Sequence, residues 1–222
     1  MITIRPSEER GRAKYSWLDT RFTFSFNQYY DPKHMGFRSL RVINDDIIAP
    51  GGGFDMHPHH DMEIVSWMLD GALEHRDSLG NGGIIRPGDV QYMSAGTGIL
   101  HSEFNASKAE PAHLMQIWIV PDRKGKEPIY GQRSVADQLT PGNLAKVMEF
   151  PSAVVYASRF SGGETSTHTL TPGRHAWIQV GTGAIEVNGV TLGQGDGAAI
   201  SEETSLAITA PGAAEILLFD LV

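Results

Sequence analysis

The chain has 222 residues, of which 41% are hydrophobic and 20% are charged, with a net charge of −8 and no cysteine. This composition is typical of a globular protein. The lack of a basic cluster argues against direct nucleic-acid binding, and the lack of cysteine excludes disulfides and thiolate chemistry. The first residues carry no apolar signal segment and no stretch is long enough to span a membrane, so we expect a cytoplasmic protein.

Short apolar runs bounded by turn residues follow one another along the chain. The clearest are 63–69, 90–93, 113–120, 177–180, 184–187 and 215–222. Many short strands at regular spacing predict an all-β sandwich or barrel. The best helix candidate is short, about 133–139, inside a polar stretch at 121–143 that is typical of a connection between two halves.

Two pairs of metal-ligand residues, each spaced i and i+2, carry the chemistry of the sequence. His57 and His59 flank Pro58, while His101 and Glu103 flank a serine. Side chains alternate faces along a strand, so both members of each pair point the same way. Pro58 argues against a helix and favours an edge or irregular strand. Two such strands facing inward would bring three imidazoles and one carboxylate together, which is a coordination shell for a transition metal.

The two halves of the chain look like diverged copies of one another. Residues 70–74 align with 182–186 at an offset of 112, and 88–89 align with 195–196 at an offset of 107. Across these offsets the four ligand candidates fall on Thr169, Thr171, Ile208 and Ala210, so the ligand types are lost. We therefore predict a metal-binding barrel over 1–130, a linker over 131–150 and a degenerate barrel without metal over 151–222.

Other residues leave alternatives open. Taken alone, His57 and His59 could be surface histidines in a glycine-rich turn. Glu63 has the parity of these histidines and could be a ligand, but we favour a role as the acceptor that orients a ligand imidazole. The alternation of Phe22, Phe24 and Phe26 favours a buried strand face over a surface that stacks on a substrate. The remaining histidines are interpreted as ordinary core or surface residues.

The spacing of these residues resembles the two motifs of cupin proteins. The gap after Glu63 is one residue longer than usual, and Ser94 stands where the second motif has a proline. A sharper resemblance is to the pirin family of two-domain cupins. It is carried by the segments 36–42, 57–63, 87–103 and 111–118. The specific matches run from about 5 to 121, and the second half is only loosely similar to the shorter bacterial branch of the family.

The resemblance implies two cupin barrels of the jelly-roll type, with iron in the first. It assigns His57, His59, His101 and Glu103 as ligands, so we expect one divalent transition metal per chain, Fe(II). It also implies oxidation of the flavonol quercetin by O2 with release of carbon monoxide. Glu103 is the expected base, because a carboxylate beside the metal can take the proton of the substrate's hydroxyl group. The expected partners are therefore a small aromatic substrate and O2.

A family resemblance does not by itself fix the function. Some pirins act as transcriptional cofactors, so one alternative is an iron-binding regulatory or sensor protein that acts through a protein partner. Another is a metal-dependent isomerase, or a different dioxygenase, with the same ligands. The cavity beside the metal separates these hypotheses, because a deep flat slot favours an aromatic substrate and a closed site favours a sensor.

Overall fold

A computed structural model describes all residues from 1 to 222. The chain is almost entirely β, and its only helical elements are the 3-10 turns Ser7–Glu9 and Ala136–Gln138. Neither turn approaches the length and apolarity that a helix needs to cross a membrane. In chain order the strands are β1 (Ile2–Arg5), β2 (Gly11–Lys14), β3 (Leu18–Phe22), β4 (Leu40–Ile48), β5 (Gly53–His59), β6 (Glu63–Asp70), β7 (Leu73–Asp77), β8 (Gly82–Ile85), β9 (Asp89–Ser94), β10 (Ile99–Asn105), β11 (Ala112–Ile119), β12 (Ile129–Ser134), β13 (Ala145–Phe150), β14 (Ala153–Phe160), β15 (Thr165–Thr169), β16 (His175–Thr182), β17 (Ile185–Val187), β18 (Val190–Leu192), β19 (Gly197–Ile200), β20 (Ser205–Thr209) and β21 (Ala214–Leu221).

The strands form two compact units, which confirms the prediction of an all-β chain with two barrels. The N-terminal unit holds residues 11–36 and 40–136. The C-terminal unit holds 1–10, 37–39 and 137–222.

These boundaries differ from the predicted 1–130, 131–150 and 151–222. The first ten residues belong to the C-terminal unit, because β1 pairs with β19 along its whole length. The expected linker contains most of β12, which pairs with β9, and all of β13, which pairs with β14. The predicted helix over 133–139 is wrong: Arg133 still pairs with Val90 in the sheet, and only Ala136–Gln138 form a helical turn.

The N-terminal unit has a seven-stranded sheet in the order β12-β9-β6-β11-β4-β3-β2 and a four-stranded sheet in the order β5-β10-β7-β8. All the pairings are antiparallel. Apolar side chains from both sheets pack into a core, and their removal from water stabilises the barrel. The largest apolar cluster joins Leu18, Ile48, Met68, Leu73, Ile85, Ala112 and Leu114.

Strand β5 lies at the edge of the four-stranded sheet, as Pro58 predicts for a residue without a backbone N–H. His57 pairs with His101 of β10, whereas Phe54 pairs with Glu103, so β5 carries one extra residue between these pairs. Such a bulge changes the direction of the side chains beyond it. As a consequence Phe54 and His57, three residues apart, both line the same cavity.

The C-terminal unit repeats this plan. Its six-stranded sheet has the order β1-β19-β16-β21-β14-β13, and its four-stranded sheet has the order β15-β20-β17-β18. The second order matches β5-β10-β7-β8 strand for strand, which supports the repeat seen in the sequence. The interior is filled by one large cluster of buried apolar side chains.

Candidate metal centre

Strand pairing brings His57, His59 and His101 together. The first two lie on β5, and His101 lies opposite His57 on β10. The ring centroids are 4.5 Å apart for His57 and His101, 4.7 Å for His57 and His59, and 4.8 Å for His59 and His101. One nitrogen from each ring lies within 4.8 Å of the other two. The three rings thus meet at one point, as the i, i+2 spacing predicts.

The hydrogen bonds of the histidines define which nitrogen is available. His57 Nδ1 lies 2.7 Å from the carbonyl oxygen of Asp55, which can only accept, so Nδ1 carries a proton. In neutral His57 the lone pair is therefore on Nε2, which lies 3.1 Å from His101 Nε2. Two nitrogens bound at right angles, each ~2.1 Å from a metal, would be about 3.0 Å apart. The spacing of this pair therefore fits two neighbouring ligands of one metal ion.

Burial keeps two of these rings neutral. Burial lowers the pKa of His59 to about 3, and the rings of His101 and His57 lower it further. Burial likewise lowers the pKa of His101 to about 3, helped by His57 and His75. A neutral imidazole is the form that binds metal. His59 and His101 are therefore in the form that can bind a divalent transition metal at neutral pH.

Glu103 lies on β10 two residues beyond His101 and is only 2% exposed. Its Oε2 accepts a hydrogen bond of 2.7 Å from Gln116 Nε2. Ser66 Oγ lies 3.2 Å from Glu103 Oε1 and 2.9 Å from Gln116 Oε1, and its one proton can go to either. A carboxylate oxygen of Glu103 groups with ring nitrogens of His101 and His75 within 4.8 Å. Each carboxylate oxygen has two lone pairs, so this network leaves capacity for a metal or a proton.

His75, which the sequence analysis did not single out, is fully buried on β7 opposite Glu103. Its Nδ1 lies 3.4 Å from His101 Nδ1, and its Nε2 lies 3.5 Å from Asp77 Oδ2. Its ring stacks on Tyr130 with centroids 4.7 Å apart. The only signal in the sequence is the i, i+2 spacing of His75 and Asp77, and nothing there shows that β7 lies beside β10.

Glu63 does not take the role expected for it. Asp61 has a φ of 50° and turns the chain between β5 and β6, so the parity of Glu63 with His57 does not carry across the turn. The Glu63 carboxylate pairs with Lys126 at 3.5 Å. The acceptor that orients His57 is the backbone carbonyl of Asp55 instead.

A cavity of about 230 Å³ adjoins the histidines. His57, His59 and Glu103 line part of it, and most of the remaining wall is apolar. This volume is somewhat below the ~300–1,000 Å³ typical of small-molecule pockets. The aromatic side chains of the wall are Tyr15, Phe22, Phe26, Phe54 and Trp118. Tyr15 is 51% exposed, so the cavity reaches solvent at this residue.

The three phenylalanines at alternate positions therefore have two different roles. Phe24 is buried away from the cavity, as a core residue should be, whereas Phe22 and Phe26 line the cavity wall. An aromatic slot beside the histidines is the arrangement that favours an aromatic substrate over a closed sensor site.

Strand register identifies the counterparts of the ligand candidates in the C-terminal unit. Strand β20 pairs with β15 and β17 as β10 pairs with β5 and β7. The counterparts of His57, His59, His101 and Glu103 are His168, Leu170, Leu206 and Ile208. The sequence offsets had placed them one or two residues away, because the loops between the strands differ in length. Three of the four positions are apolar and belong to the core.

Comparison with known proteins gives matches over the whole chain. The family model Pirin matches residues 3–119, and the model of the quercetinase C-terminal cupin domain matches residues 151–221. A protein of Escherichia coli (strain K12) named quercetin 2,3-dioxygenase is 44% identical over 231 residues, covering 100% of this chain and 99% of that protein.

Two solved structures have the same architecture. The crystal structure of YhhW from Escherichia coli has a TM-score of 0.92 and 43% sequence identity, covering 100% of this chain and 98% of that one. The crystal structure of the bacterial pirin YhhW in complex with nickel(II), also from Escherichia coli, has a TM-score of 0.89 and 45% identity, covering 100% and 99%. The likeness therefore includes both barrels.

Proposed function

Because the chain belongs to the pirin family of two-domain cupins, we propose that it is a metal-dependent dioxygenase that opens the ring of flavonols such as quercetin with O2 and releases carbon monoxide. The observation that carries this proposal is the cluster of three imidazoles, two of which, His57 and His59, line an aromatic cavity. The named activity of the Escherichia coli relative supports the reaction, and the nickel(II) complex of a bacterial pirin supports a metal centre.

The ligands of the metal are His57, His59, His101 and Glu103. Their three nitrogens and one oxygen are a donor set that would suit Fe(II). When bound, the metal would polarise the flavonol oxygens as a Lewis acid and supply the redox chemistry that O2 requires.

Glu103 is the base that takes the proton of the flavonol 3-hydroxyl group. A general base must lie within hydrogen-bond reach of the proton that it removes, and Glu103 lines the cavity in which the substrate would bind. The hydrogen bond from Gln116 holds Oε2 of the carboxylate in place, and Oε1 is available when Ser66 donates its proton to Gln116 instead. Loss of the proton makes the flavonol ring electron-rich, which is the state that reacts with O2.

The aromatic wall positions the substrate and excludes water. Phe22, Phe54 and Trp118 offer flat apolar surfaces on which a fused aromatic ring can stack. Excluding water protects the deprotonated substrate and strengthens the electrostatic interactions inside the cavity.

His75 is a positioning residue in this arrangement. A histidine that binds a metal through Nε2 must donate its Nδ1 proton to an acceptor, and such acceptors fix the orientation of the ring. The nitrogen facing His101 Nδ1 belongs to His75. When His75 Nδ1 accepts, its own proton is on Nε2, which faces the Asp77 carboxylate. The chain Asp77–His75–His101 thus selects the tautomer of His101 that can bind a metal.

The proposal is tested by giving quercetin and O2 to the iron-loaded protein and following the flavonol absorbance. We expect bleaching over many turnovers in the wild type and none in His59→Ala, which loses a ligand. Glu103→Gln keeps the size and one oxygen of the side chain but removes the base, so turnover per bound metal should be much slower. If iron-loaded wild type is no faster than protein with a redox-inert metal, the enzyme is excluded and the sensor acting through a protein partner replaces it.

A further inference from the structure

A second polar region lines the cavity on β3 and β4, apart from the ligand candidates. It consists of Thr20, Asn44 and Asp46, which are 2%, 5% and 3% exposed. Asp46 lies opposite Thr20 in the register of β3 and β4, and Asn44 lies opposite Gln116 of β11. All three side chains line the same cavity as His57.

Two hydrogen-bonding atoms of this region have no partner in the protein. Thr20 Oγ1 and Asn44 Oδ1 are buried and have no hydrogen-bond partner. Burial raises the pKa of the Asp46 carboxyl to about 7; the neighbouring Thr20 hydroxyl lowers it, and the charges of Asp45 and Glu103 raise it further. Buried polar groups are nearly always paired in folded proteins, so unpaired groups that face a cavity indicate a ligand.

The fold itself does not need polar residues at these positions. Strand register gives the C-terminal counterparts of Ser66, Gln116, Asn44 and Asp46 as Ile178, Leu218, Tyr156 and Ser158. Two of these counterparts, Ile178 and Leu218, are fully buried in the apolar core, and Tyr156 packs against it. The same barrel is therefore built without the polar row where it has no ligand candidates to serve.

We propose that Thr20, Asn44 and Asp46 form a subsite for phenolic hydroxyl groups, which selects aromatic substrates that carry hydroxyls beyond the part bound at the histidines. This inference rests on the proposed function, because it concerns the same cavity. All three side chains can accept a hydrogen bond, and a phenol donates one. A bond from a phenol to a carboxylate is charge-assisted and stronger than one between neutral groups.

Such a subsite would allow the cavity to distinguish hydroxylated aromatic ligands from those without hydroxyl groups, which its aromatic wall cannot do. An apolar wall tolerates a flat ring whether or not it carries a hydroxyl group. A site with buried acceptors penalises an analogue without the hydroxyl, because its acceptors then stay unpaired. The substrate class is therefore polyhydroxylated flavonols rather than flat aromatic compounds in general.

The test is a binding comparison between quercetin and 3-hydroxyflavone, which lacks every hydroxyl group except the one at position 3. Dissociation constants are measured with metal-loaded protein without O2 at pH 8, so that no turnover occurs. We expect wild type to bind quercetin more tightly. Thr20→Val removes a hydroxyl acceptor, and Asp46→Asn keeps an acceptor but removes the charge that strengthens its bond to a phenol. Each should weaken the binding of quercetin about tenfold and should change the binding of 3-hydroxyflavone less than twofold.

Ser158→Ala is the matched control, because Ser158 is the counterpart of Asp46 and its buried Oγ is also unpaired. It should leave the binding of both flavonols unchanged. Equal losses for both flavonols in Thr20→Val and Asp46→Asn, or no loss for quercetin, would overturn the subsite.

A wild type that binds both flavonols equally, or neither, would overturn the subsite as well. The outcome is distinguishable from failure of the proposed function, because binding is measured without O2. A protein that prefers quercetin but never oxidises it keeps the subsite and loses the enzyme. A protein that oxidises both flavonols without preference keeps the enzyme and loses the subsite.

Discussion

At the scale of single residues, the metal centre depends on which nitrogen of each imidazole carries the proton. The Asp55 carbonyl determines this for His57, and in the proposed centre His75 would accept the Nδ1 proton of His101. Both acceptors leave Nε2 of the ligand ring facing the common point. The affinity for metal therefore depends on the hydrogen-bond partners of the ligands as well as on the ligands themselves.

His75→Phe tests this arrangement, because it removes the acceptor but keeps a ring that can stack on Tyr130. We expect metal affinity to fall about 10- to 100-fold, the usual effect of losing a partner of a metal-bound histidine. The measurement is a competition titration against a chelator, with His113→Gln as a control outside the cluster. An unchanged affinity in His75→Phe would show that His101 does not need this partner.

We expect Asp46→Asn to change the stability of the metal-free protein in a pH-dependent way. The folded-state pKa of Asp46 is raised to about 7 from an unfolded value of 3.8, so folding is penalised as the pH rises between these values. The variant should therefore be more stable than wild type above pH ~7, by up to ~4 kcal/mol, and equal to it below pH ~4. Urea unfolding at several pH values measures this.

Asp19→Asn is the control of opposite sign. Its hydrogen bond to Arg12 holds the pKa of Asp19 below its usual value, so the carboxylate stabilises the fold near neutral pH and loses this effect in acid. The variant should be no more stable than wild type at pH 8. A stability difference for Asp46→Asn that does not change with pH would contradict the buried charge.

Functional residues can be predicted from the sequence when they follow a local spacing pattern. They cannot be predicted when their role depends on a residue of a neighbouring strand. His57, His59, His101 and Glu103 could be found because i, i+2 spacing and the family motifs are local signals. The proposed role of Asp46 in the cavity, in contrast, follows from its position opposite Thr20 on the paired strands β3 and β4. No local pattern distinguishes it from an exposed aspartate.

At the scale of elements, the turn between β9 and β10 directs His101 into the cluster. Gly96 has a φ of 47°, and a Cβ there would lie 2.1 Å from the Lys126 carbonyl oxygen. This turn therefore requires glycine for its backbone angle and for its lack of a side chain. Gly80 also has a positive φ, of 87°, but an added Cβ would meet nothing within 4 Å.

Gly96→Ala should therefore destabilise the protein more than Gly80→Ala does. Both variants lose about 1 kcal/mol to the positive φ, and Gly96→Ala loses a further ~1–3 kcal/mol to the close contact. Denaturant unfolding of the two variants gives the comparison. Equal losses would show that the turn can move away from Lys126.

Elements with a strong apolar pattern are predictable, and elements stabilised mainly by pairing are not. Strand β12 is mostly exposed and has no apolar alternation, so its sequence suggested a linker and a helix, yet it pairs with β9 over six residues. Strand β1 has apolar residues, but its partner β19 lies almost two hundred residues further along the chain. Local propensity carries no information about such a distant partner.

At the scale of the whole molecule, one fold is used twice with different interiors. The interior of the N-terminal barrel contains polar groups and a cavity, while apolar side chains occupy the matching positions of the C-terminal barrel. The repeat could be recognised from the glycine-containing turns in the sequence. The precise counterparts of the ligands could not, because small differences in loop length shift them.

This division of roles predicts one metal ion per chain. Protein produced with ample iron should give a metal-to-protein ratio near one by elemental analysis. His168 is the one ligand-type residue retained among the C-terminal counterparts, and it pairs with Asp220 at 2.9 Å. A ratio near two, with the second metal unaffected by His101→Ala, would reveal a site in the C-terminal unit.

If the cluster of His57, His59 and His101 serves a flavonol dioxygenase, carbon monoxide is the most specific product of the reaction. The decisive measurement is the carbon monoxide released per quercetin consumed by iron-loaded protein under O2. We predict one carbon monoxide per flavonol over many turnovers, and none from the His59→Ala variant. Quercetin loss without carbon monoxide, or equal release from His59→Ala, would contradict the account.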